Sequence, residues 1–344
     1  QSQPLSNEEF LKIKNLAQLN DFNSYQNNGS IIDQRDETLS AYLLKLLDFI
    51  DISTLKPLKI VINSGNGAAG PVIDALDQFL VSKGIKSNFV RVNHLPDSSF
   101  PNGVPNPFLM ENQSMTASAV IKEKADFGVA FDGDFDRCFI FDNLGDFVST
   151  EYLAGLFAEK FLSKKMGAKV IHDMRSIWNL TDIIKKFGGC ALTSKTGHVY
   201  FKNSMREVDA IYGVEKSGHH YFRDFFYCDS GMIPWLLVWE ILSQTKCSIY
   251  ELIEERSRLF SSSHEINFTV SNASKCIEQV KDLFVESANN LDELDGLSAS
   301  FNDWRFNLRA SNTEPLVRLN VETKGDNQLL KEKIDVLKNI ISRL

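Results

Sequence analysis

Cysteine is scarce in this sequence, and the five residues present form no recognisable motif. They are scattered, odd in number and contain no C-x-x-C pair, which suits the reducing cytoplasm better than a disulfide-stabilised fold. No amino-terminal apolar segment resembles a signal peptide. The longest apolar run, residues 232–242, contains Glu240 and is too short to cross a bilayer. We therefore predict a cytoplasmic protein that has no membrane-spanning helix.

An excess of positive charge is also lacking. The chain carries 45 acidic against 37 basic residues, a formal net charge of −8 at pH 7, which argues against a nucleic-acid surface and for a small-molecule ligand. With 344 residues, 43% of them hydrophobic and 24% charged, the chain has the composition of a globular protein of two or three domains. We expect neither a nucleic acid nor a membrane as a partner.

The most informative segment is the run Asp132-Gly133-Asp134-Phe135-Asp136-Arg137. It follows an apolar stretch, residues 127–131, that is predicted to be a strand. Alternate side chains of an extended chain point the same way, so the three carboxylates are expected to converge. Like charges held together repel unless a cation lies between them, and Mg²⁺ prefers carboxylate and phosphate oxygens. The run therefore predicts a Mg²⁺ site for phosphate chemistry, with Asp132, Asp134 and Asp136 as ligands.

Two other interpretations compete with a magnesium site. An EF-hand also begins D-x-D-x-D, but it requires glycine at position six and glutamate at position twelve, where this chain has Arg137 and Asn143. An ordinary acidic turn is harder to dismiss, since aspartate and glycine are common in turns. Apolar residues on both sides of the run place it inside a core-forming segment, which favours the functional interpretation.

A glycine-rich turn in the first part of the chain resembles a nucleotide-binding motif. Residues 65–70 read Gly-Asn-Gly-Ala-Ala-Gly, after a predicted strand at 58–63 and before a predicted helix. A dinucleotide site also requires an acidic residue about twenty positions further on, at the tip of the second strand. The second predicted strand, 88–92, provides none. We interpret the glycines as a tight turn that lets helix and strand approach closely.

Predicted strands and helices alternate up to about residue 260, in two successive units. Ligands of such units are expected beyond the carboxyl ends of the strands. Further on, predicted strands at 266–270, 299–308 and 315–321 are flanked by helices, which indicates a separate α+β domain. The predicted fold is α/β, with two consecutive α/β domains that have mixed, mostly parallel sheets, followed by a smaller α+β C-terminal domain. The predicted ranges are 1–35 for a poorly structured lead-in or the remnant of a missing first domain, 36–147 for metal binding, 148–260 for sugar binding and 261–344 for phosphate binding.

Two further loops carry useful polar groups. Glu215, Ser217 and His219 follow the predicted strand 210–214 and suit neighbouring hydroxyls of a sugar, although a lone loop histidine is more often structural or merely exposed. Residues 309–313 read Arg-Ala-Ser-Asn-Thr between the last two strands. An arginine fork and free backbone N–H groups in a turn favour a phosphate, and an ordinary turn stopped by proline is the competing interpretation. The predicted phosphate ligands are Arg309, Ser311, Asn312 and Thr313.

In order along the chain, these loops resemble those of the α-D-phosphohexomutases. The aspartate run is similar to the family's Asp-Gly-Asp-x-Asp-Arg metal loop, residues 213–219 to its Gly-x-Glu-x-Ser-x-His sugar loop, and residues 309–313 to its Arg-x-Ser-Asn-Thr phosphate loop. The similarity extends from about residue 36 to the end. It includes long runs that resemble the bacterial phosphomannomutase branch most, at 100–107, 194–198 and 221–234. Three motifs in the right order are far more specific than any one of them.

The resemblance implies reversible conversion of mannose 6-phosphate to mannose 1-phosphate, which feeds GDP-mannose and surface polysaccharide synthesis. It implies a phosphoserine enzyme, Mg²⁺, and mannose or glucose 1,6-bisphosphate as intermediate and activator. Arg137 would offset excess negative charge, His198 or His219 would carry protons, and Arg175 would add a charge to the cleft. Phosphoglucomutase and phosphoglucosamine mutase are the alternative enzymes, and the protein is expected to be a monomer or a homodimer.

One motif of the family is missing. Its members carry Thr-Ala-Ser-His-Asn-Pro in a first domain, where the serine is phosphorylated. Residues 116–118 read Thr-Ala-Ser, but Ala-Val-Ile follows within a predicted helix, so Ser118 is given no catalytic role. We expect that this chain lacks the first domain, which would be its partner in the complete protein, and that it is inactive by itself. A non-catalytic protein that binds sugar phosphates is the alternative.

Overall fold

The computed structural model describes residues 3–20, 22, 29–311 and 315–343. Its first element, helix α1 (Asn7–Leu19), lies in the segment predicted to be a poorly structured lead-in or the remnant of a missing first domain, and this part of that segment is helical. Ser6 and Glu9 form a capping box, in which each side chain accepts a hydrogen bond from the backbone N–H of the other residue. None of the residues of α1 is buried. A local cap, and not burial, therefore specifies this helix.

The first unit contains a mixed five-stranded sheet. Its elements are α2 (Arg35–Leu47), β1 (Lys59–Asn63), α3 (Ala69–Ser82), β2 (Asn88–Val92), α4 (Ser114–Glu123), β3 (Phe127–Phe131), β4 (Cys138–Phe141) and β5 (Phe147–Val148). The strand order is β2-β1-β3-β4-β5. Strand β1 pairs in parallel with β2 and β3, whereas β4 pairs antiparallel with β3 and β5. The chain thus reverses direction at the aspartate run, between β3 and β4.

The second unit repeats this arrangement. Its elements are α5 (Thr150–Lys164), β6 (Lys169–His172), α6 (Trp178–Lys186), β7 (Cys190–Thr193), α7 (His198–Val208), β8 (Tyr212–Val214), β9 (His220–Phe222), β10 (Cys228–Asp229), α8 (Met232–Gln244) and α9 (Ile249–Leu259). The strand order is β10-β9-β8-β6-β7. Strand β6 pairs in parallel with β7 and β8, and β9 pairs antiparallel with β8 and β10. The α/β class and the mixed sheets predicted for both units are confirmed.

The third unit has an antiparallel sheet with two helices. Its elements are β11 (Ser261–Ser262), β12 (Ile266–Thr269), α10 (Ala273–Phe284), β13 (Asn290–Asp292), β14 (Leu297–Ser300), β15 (Trp304–Ala310), β16 (Leu316–Thr323) and α11 (Asn327–Ile341). The order is β11-β16-β15-β14-β13, and β12 also pairs with β16. The single strand predicted at 299–308 is wrong, because the chain turns between β14 and β15, where Phe301 N donates to Trp304 O at 2.9 Å.

The first two units share one hydrophobic core, and the third has its own. Helix α8 is buried along nearly its whole length. Its Trp235 and Trp239 meet the ring of Phe89 edge-on, at centroid distances of 5.8 and 5.5 Å. The apolar length of α8 is therefore explained by burial between two sheets, and none of the described helices combines the length and the apolar character that crossing a bilayer requires.

Contacts between the second and third units include buried polar groups. The Arg305 guanidinium donates to the carbonyl oxygen of Met174 at 2.8 Å and pairs with Glu322 at 2.6 Å. Glu322 in turn accepts hydrogen bonds from the backbone N–H groups of Ile177 and Trp178. The segment after β6 is thereby joined to the third sheet, and Arg175 lies within that segment.

Candidate active site

The three aspartates of the metal loop, residues 132–137, lie close together at the carboxyl end of β3. One carboxylate oxygen from each of Asp132, Asp134 and Asp136 lies within 4.8 Å of the others. The loop is not extended, however, since Phe135 has a left-handed φ of 51° and its N–H donates to Asp132 O. The predicted convergence is present, but it comes from a tight turn and not from the alternation of a strand.

Asp132 and Asp136 have different electrostatic surroundings. Asp132 is buried, and burial raises its pKa to about 6 although Arg137 donates to it, from Nε at 2.8 Å and from the backbone N–H at 3.2 Å. Burial also acts to raise the pKa of Asp136, but His219, Asp132 and Arg137 together outweigh it and the pKa is lowered. Asp134 is exposed. A cation at this place would replace the proton that Asp132 otherwise attracts.

These residues fit a hard divalent cation. Three carboxylates supply the oxygen ligands that Mg²⁺ prefers, and the exposed Asp134 leaves one side open to a phosphate oxygen. Burial and, to a smaller extent, the charge of Asp136 raise the pKa of Asp132, and a bound cation would stabilise its ionised form. When bound, Mg²⁺ would polarise a phosphoryl oxygen and neutralise developing charge.

We expect Mg²⁺ binding to weaken in acid, because protons compete for Asp132. Protonation is favoured below the raised pKa of about 6, so affinity should fall by about tenfold per pH unit below that value and level off above it. Calorimetric titration of Mg²⁺ between about pH 5 and pH 8 measures this dependence. An affinity that is flat across the range would contradict the assignment of Asp132 as a ligand.

The glycine-rich turn after β1 supports the metal loop. A Cβ atom on Gly67 would lie 2.5 Å from the carbonyl oxygen of Gly133, and Ala68 N donates to that oxygen at 3.0 Å. A Cβ on Gly65, which has φ +59°, would meet the Pro105 side chain at 2.5 Å. The turn thus allows a close approach, as predicted, and the nearest backbone to Gly67 is that of the metal loop.

We expect Gly67→Ala to destabilise the protein by about 1–3 kcal/mol, because the added methyl group forces the Gly133 backbone to move. The same shift should weaken Mg²⁺ binding. Chemical denaturation and a Mg²⁺ titration measure the two effects. Gly29→Ala is the matched control, since nothing lies within 4 Å of its Cβ, and equal behaviour of the two variants would contradict the expected contact.

The sugar loop, residues 213–219, connects β8 to β9 and packs beside the metal loop. Gly218 has φ +96°, and a Cβ there would lie 2.7 Å from the ring of Phe139 in β4. The imidazole of His219 lies 3.1 Å from Ser217 Oγ through Nδ1 and 3.6 Å from Asp136 Oδ2 through Nε2. His219 therefore contacts both the sugar loop and the metal loop.

Glu215 is placed differently from the prediction. Its side chain is buried, and its two carboxylate oxygens accept hydrogen bonds from Gly197 N at 2.7 Å and from Tyr221 OH at 2.6 Å. In this conformation Glu215 does not line the cleft, since one of its oxygens faces the start of α7 and the other faces Tyr221 in β9. Ser217, two residues further on, does line it.

The two other predicted cleft residues also differ from each other. His198 is exposed at the start of α7, with Nδ1 3.5 Å from Lys202 Nζ, and it is absent from the lining of the cleft. Arg175 is buried and does line the cleft. Burial acts to lower the pKa of Arg175, but the charges of Asp173, Glu265 and Glu215 together outweigh it and the pKa is raised. The guanidinium therefore stays charged.

The predicted phosphate site lies where β15 ends and β16 begins. Arg309 is nearly buried at 8% side-chain exposure, and Arg318 lies directly opposite it on β16. Arg318 Nη2 donates to Ser311 Oγ at 3.3 Å. Asn312 and Thr313, also predicted to bind phosphate, lie outside the described residues.

Two residues of this site, Arg318 and Glu265, were not predicted from the sequence. Arg318 interrupts the alternation of apolar residues at Val317, Leu319 and Val321, and its position on the other face of the strand was available as a signal. Glu265 offered no such signal, because an isolated glutamate before a strand is common. The structure places its carboxylate among Arg175, Arg309 and Arg318.

A cavity of about 770 Å³ connects these features, which is the size of a typical small-molecule site. All three units line it. The residues that matter here are Asn106, Phe108 and Arg137 from the first unit, Glu151, Arg175, Thr196, Lys216 and Ser217 from the second, and Glu265, Asn267, Arg309, Ser311 and Arg318 from the third. Lys216 and Glu151 pair with each other at 3.6 Å, so the remaining charge of the lining is positive.

Three family models match the chain in order. They are described as phosphoglucomutase/phosphomannomutase, alpha/beta/alpha domain II at residues 40–145, alpha/beta/alpha domain III at 149–260, and C-terminal domain at 265–338. The metal loop, the sugar loop and the phosphate loop each fall in a different one of these ranges.

Curated relatives match over nearly the whole chain. A phosphomannomutase of Vibrio cholerae is 48% identical over 345 residues, which cover 100% of this chain and 74% of that protein. The Escherichia coli K12 phosphomannomutase is 47% identical over 342 residues, 99% of this chain and 75% of that protein. A Xanthomonas campestris protein called phosphohexose mutases is 50% identical over 302 residues, 88% of this chain and 66% of that protein.

Solved structures agree with the observed fold. A phosphoglucomutase/phosphomannomutase family protein of Burkholderia thailandensis matches with a TM-score of 0.83 at 27% identity, covering 98% of this chain and 70% of that one. A putative phosphomannomutase of Thermus thermophilus matches with a TM-score of 0.78 at 19% identity, covering 99% and 73%. The second similarity concerns the fold alone.

Proposed function

Because this chain belongs to the phosphoglucomutase/phosphomannomutase family, we propose that it forms the metal, sugar and phosphate sites of a phosphomannomutase, which interconverts mannose 6-phosphate and mannose 1-phosphate. One observation carries the proposal. A single cavity is lined both by Arg137, which belongs to the metal loop, and by Arg175, Arg309 and Arg318. A phosphosugar has a reacting end and a phosphate end, and the cavity offers different chemistry to each.

At the reacting end, phosphoryl transfer depends on position and charge neutralisation more than on covalent chemistry. Asp132, Asp134 and Asp136 would hold Mg²⁺, which supplies a counter-charge for phosphoryl oxygens. Arg137 donates a hydrogen bond to Asp132 and also borders the cavity. Its guanidinium would stabilise negative charge that the cation does not neutralise.

At the phosphate end, Arg309 and Arg318 would bind the phosphate that is not reacting, together with Arg175. Guanidinium groups bind phosphate bidentately, and their contacts are stronger in a partly buried site than in water. Arg309 and Arg175 are both nearly buried. A substrate bound there would be oriented with its other end directed along the cavity.

Ser217 and His219 are the residues that would contact the sugar and move a proton. Ser217 lines the cavity. The Nδ1 atom of His219 is within hydrogen-bond distance of Ser217 Oγ, at 3.1 Å. Because His219 also lies near Asp136, it is better placed than the exposed His198 to take a proton from a hydroxyl that attacks near the metal. The proposal therefore assigns proton transfer to His219.

The enzyme cycle implied by the family needs a phosphoserine, and mannose or glucose 1,6-bisphosphate as its intermediate. The 344-residue sequence contains no Thr-Ala-Ser-His-Asn-Pro run. Ser118, in the fragment that comes nearest, lies within helix α4. We propose that this chain binds substrate but does not turn it over by itself.

Binding of mannose 6-phosphate in the presence of Mg²⁺ tests the proposal, with mannose, inorganic phosphate, glucose 6-phosphate and glucosamine 6-phosphate as comparisons. Isothermal titration should show mannose 6-phosphate binding more tightly than mannose or inorganic phosphate alone. A coupled assay with bisphosphate added should show no turnover.

Each alternative has its own result. Tightest binding of glucose 6-phosphate or glucosamine 6-phosphate would replace mannose as the substrate. Equal binding of mannose 6-phosphate and inorganic phosphate would overturn the sugar site. Turnover by the chain alone would show that it contains a nucleophile outside the family's serine motif.

A further inference from the structure

Glu265 occupies an unusual position, since its carboxylate lies among three guanidinium groups. Its oxygens are 3.1 Å from Arg318 Nη1, 3.4 Å from Arg309 Nη2 and 3.6 Å from Arg175 Nη1. The Glu265 side chain is 6% exposed and borders the active-site cavity. The four residues come from the segment after β6, the segment before β12, and strands β15 and β16. Only the folded chain brings them together.

The charges of this cluster do not balance. Arg309 and Arg318 face each other directly across the β15–β16 pair, an arrangement that is unfavourable for like charges. Arg175 is the third positive group, and it also pairs with the buried Asp173 at 2.5 Å, so that two carboxylates face three guanidinium groups. Burial acts to raise the pKa of Glu265, but the three arginines outweigh it and lower the pKa, so the carboxylate is ionised. Together with Asp173, the cluster therefore keeps an excess of one positive charge, which favours an anionic ligand.

The contacts of Glu265 are also long. Charge-assisted hydrogen bonds between nitrogen and oxygen are typically about 2.7–2.9 Å, whereas the contacts here are 3.1–3.6 Å. In addition, Arg309 Nε is buried without a hydrogen-bond partner among the described residues. Glu265 thus leaves a donor of Arg309 unsatisfied, and an anion with more oxygens could accept a hydrogen bond from it.

We propose that Glu265 is a resident anion, which a phosphate displaces from Arg309 and Arg318. The identity of the ligand as a phosphosugar rests on the proposed function, but the anion site itself does not. Because Glu265 competes with the incoming phosphate, it weakens binding. A weaker phosphate contact is an advantage in a cycle whose bisphosphate intermediate must leave the site, turn around and bind again.

A purely structural role for Glu265 makes the opposite prediction. If its carboxylate only held the arginines in place, its removal would disorder them and weaken phosphate binding. If it competes, its removal should strengthen binding. Removal of Arg318 should weaken binding in either case, so Glu265 and Arg318 variants are expected to differ in sign only under the proposal.

The test uses the 344-residue chain and inorganic phosphate as the probe, with mannose 6-phosphate as a second ligand. Arg318→Gln should weaken phosphate binding by about tenfold, the effect of one lost charge-assisted contact. Glu265→Gln keeps the size and a hydrogen-bond acceptor, and should tighten binding by about fivefold. Arg258→Gln is the matched control, because Arg258 is 73% exposed on α9 outside the cavity, and should leave binding unchanged.

Weaker or unchanged phosphate binding by Glu265→Gln would overturn the competing role, and unchanged binding by Arg318→Gln would overturn its place in the site. If Glu265→Gln does not fold, Glu265→Asp is the second variant. Its shorter side chain moves the carboxylate away from the arginines, so phosphate binding should again become tighter, by a smaller factor. The proposed function fails separately. If inorganic phosphate responds as expected and mannose 6-phosphate binds no better than phosphate, the anion site stands and the sugar assignment does not.

Discussion

Asp134→Asn is expected to abolish Mg²⁺ binding and leave the fold intact. Asp134 is exposed on the metal loop, with a carboxylate oxygen within 4.8 Å of those of Asp132 and Asp136. An amide cannot replace the charge of the carboxylate. Substituting a residue that only supports a metal ligand can lower metal affinity by about 100-fold, so loss of a ligand itself should lower Mg²⁺ affinity by at least that factor. The free energy of unfolding should change by no more than about 0.5 kcal/mol, because the side chain is at the surface.

Calorimetric titration of Mg²⁺ and chemical denaturation measure these two quantities. Asp335→Asn is the control. Asp335 is exposed on α11, and its substitution removes the same charge from the chain. Mg²⁺ affinity equal to that of the control would remove the magnesium site, and with it the assignment of the reacting end of the cavity.

Arg309→Gln is expected to lose phosphate binding without losing stability. A bidentate charged contact in a nearly buried site contributes about 1.5–3 kcal/mol, so affinity for inorganic phosphate and for mannose 6-phosphate should fall by about 10- to 100-fold. Burial and the neighbouring Arg175 lower the pKa of Arg309, which means that its charge is unfavourable in the ligand-free protein. Removing that charge should therefore not lower the free energy of unfolding.

Arg309→Lys separates charge from geometry. The lysine keeps the positive charge but has no planar fork, so its phosphate affinity should lie between those of the unsubstituted protein and Arg309→Gln. A Gln variant that unfolds more easily, or a Lys variant that binds as well as arginine, would show that Arg309 is a structural residue and not a phosphate ligand.

Much of the fold could be predicted from local patterns. The bounds of β2 and β3 agree with the predicted ranges, because apolar spacing is clear where an element packs on a core. Prediction was poorest where a strand is short or changes direction. The antiparallel strands β9 and β10 were not predicted, and β14 and β15 were merged into one strand. These strands contain two to seven residues, and their alternation is too brief to show where the chain reverses.

The site shows the same division. The clustering of Asp132, Asp134 and Asp136 and the place of Arg309 beside the cavity could be predicted from the sequence, because each residue lies in a short motif whose chemistry is evident from its own residues. Glu215 and His198 also lie in motifs, yet one is buried against Gly197 and Tyr221 and the other is exposed beyond the cavity. A motif identifies a residue, but the direction of its side chain depends on neighbours that are distant in sequence.

The sequence by itself determined the α/β class, the position of the metal loop and the chemistry of the phosphate loop, because each depends on residues within about ten positions of one another. Only the tertiary structure decided which side chains share the cavity. Arg175, Glu265, Arg309 and Arg318 meet because the third sheet packs on the segment after β6 through Arg305 and Glu322. Contacts between such distant segments depend on the packing of the folded chain, and no local pattern contains them.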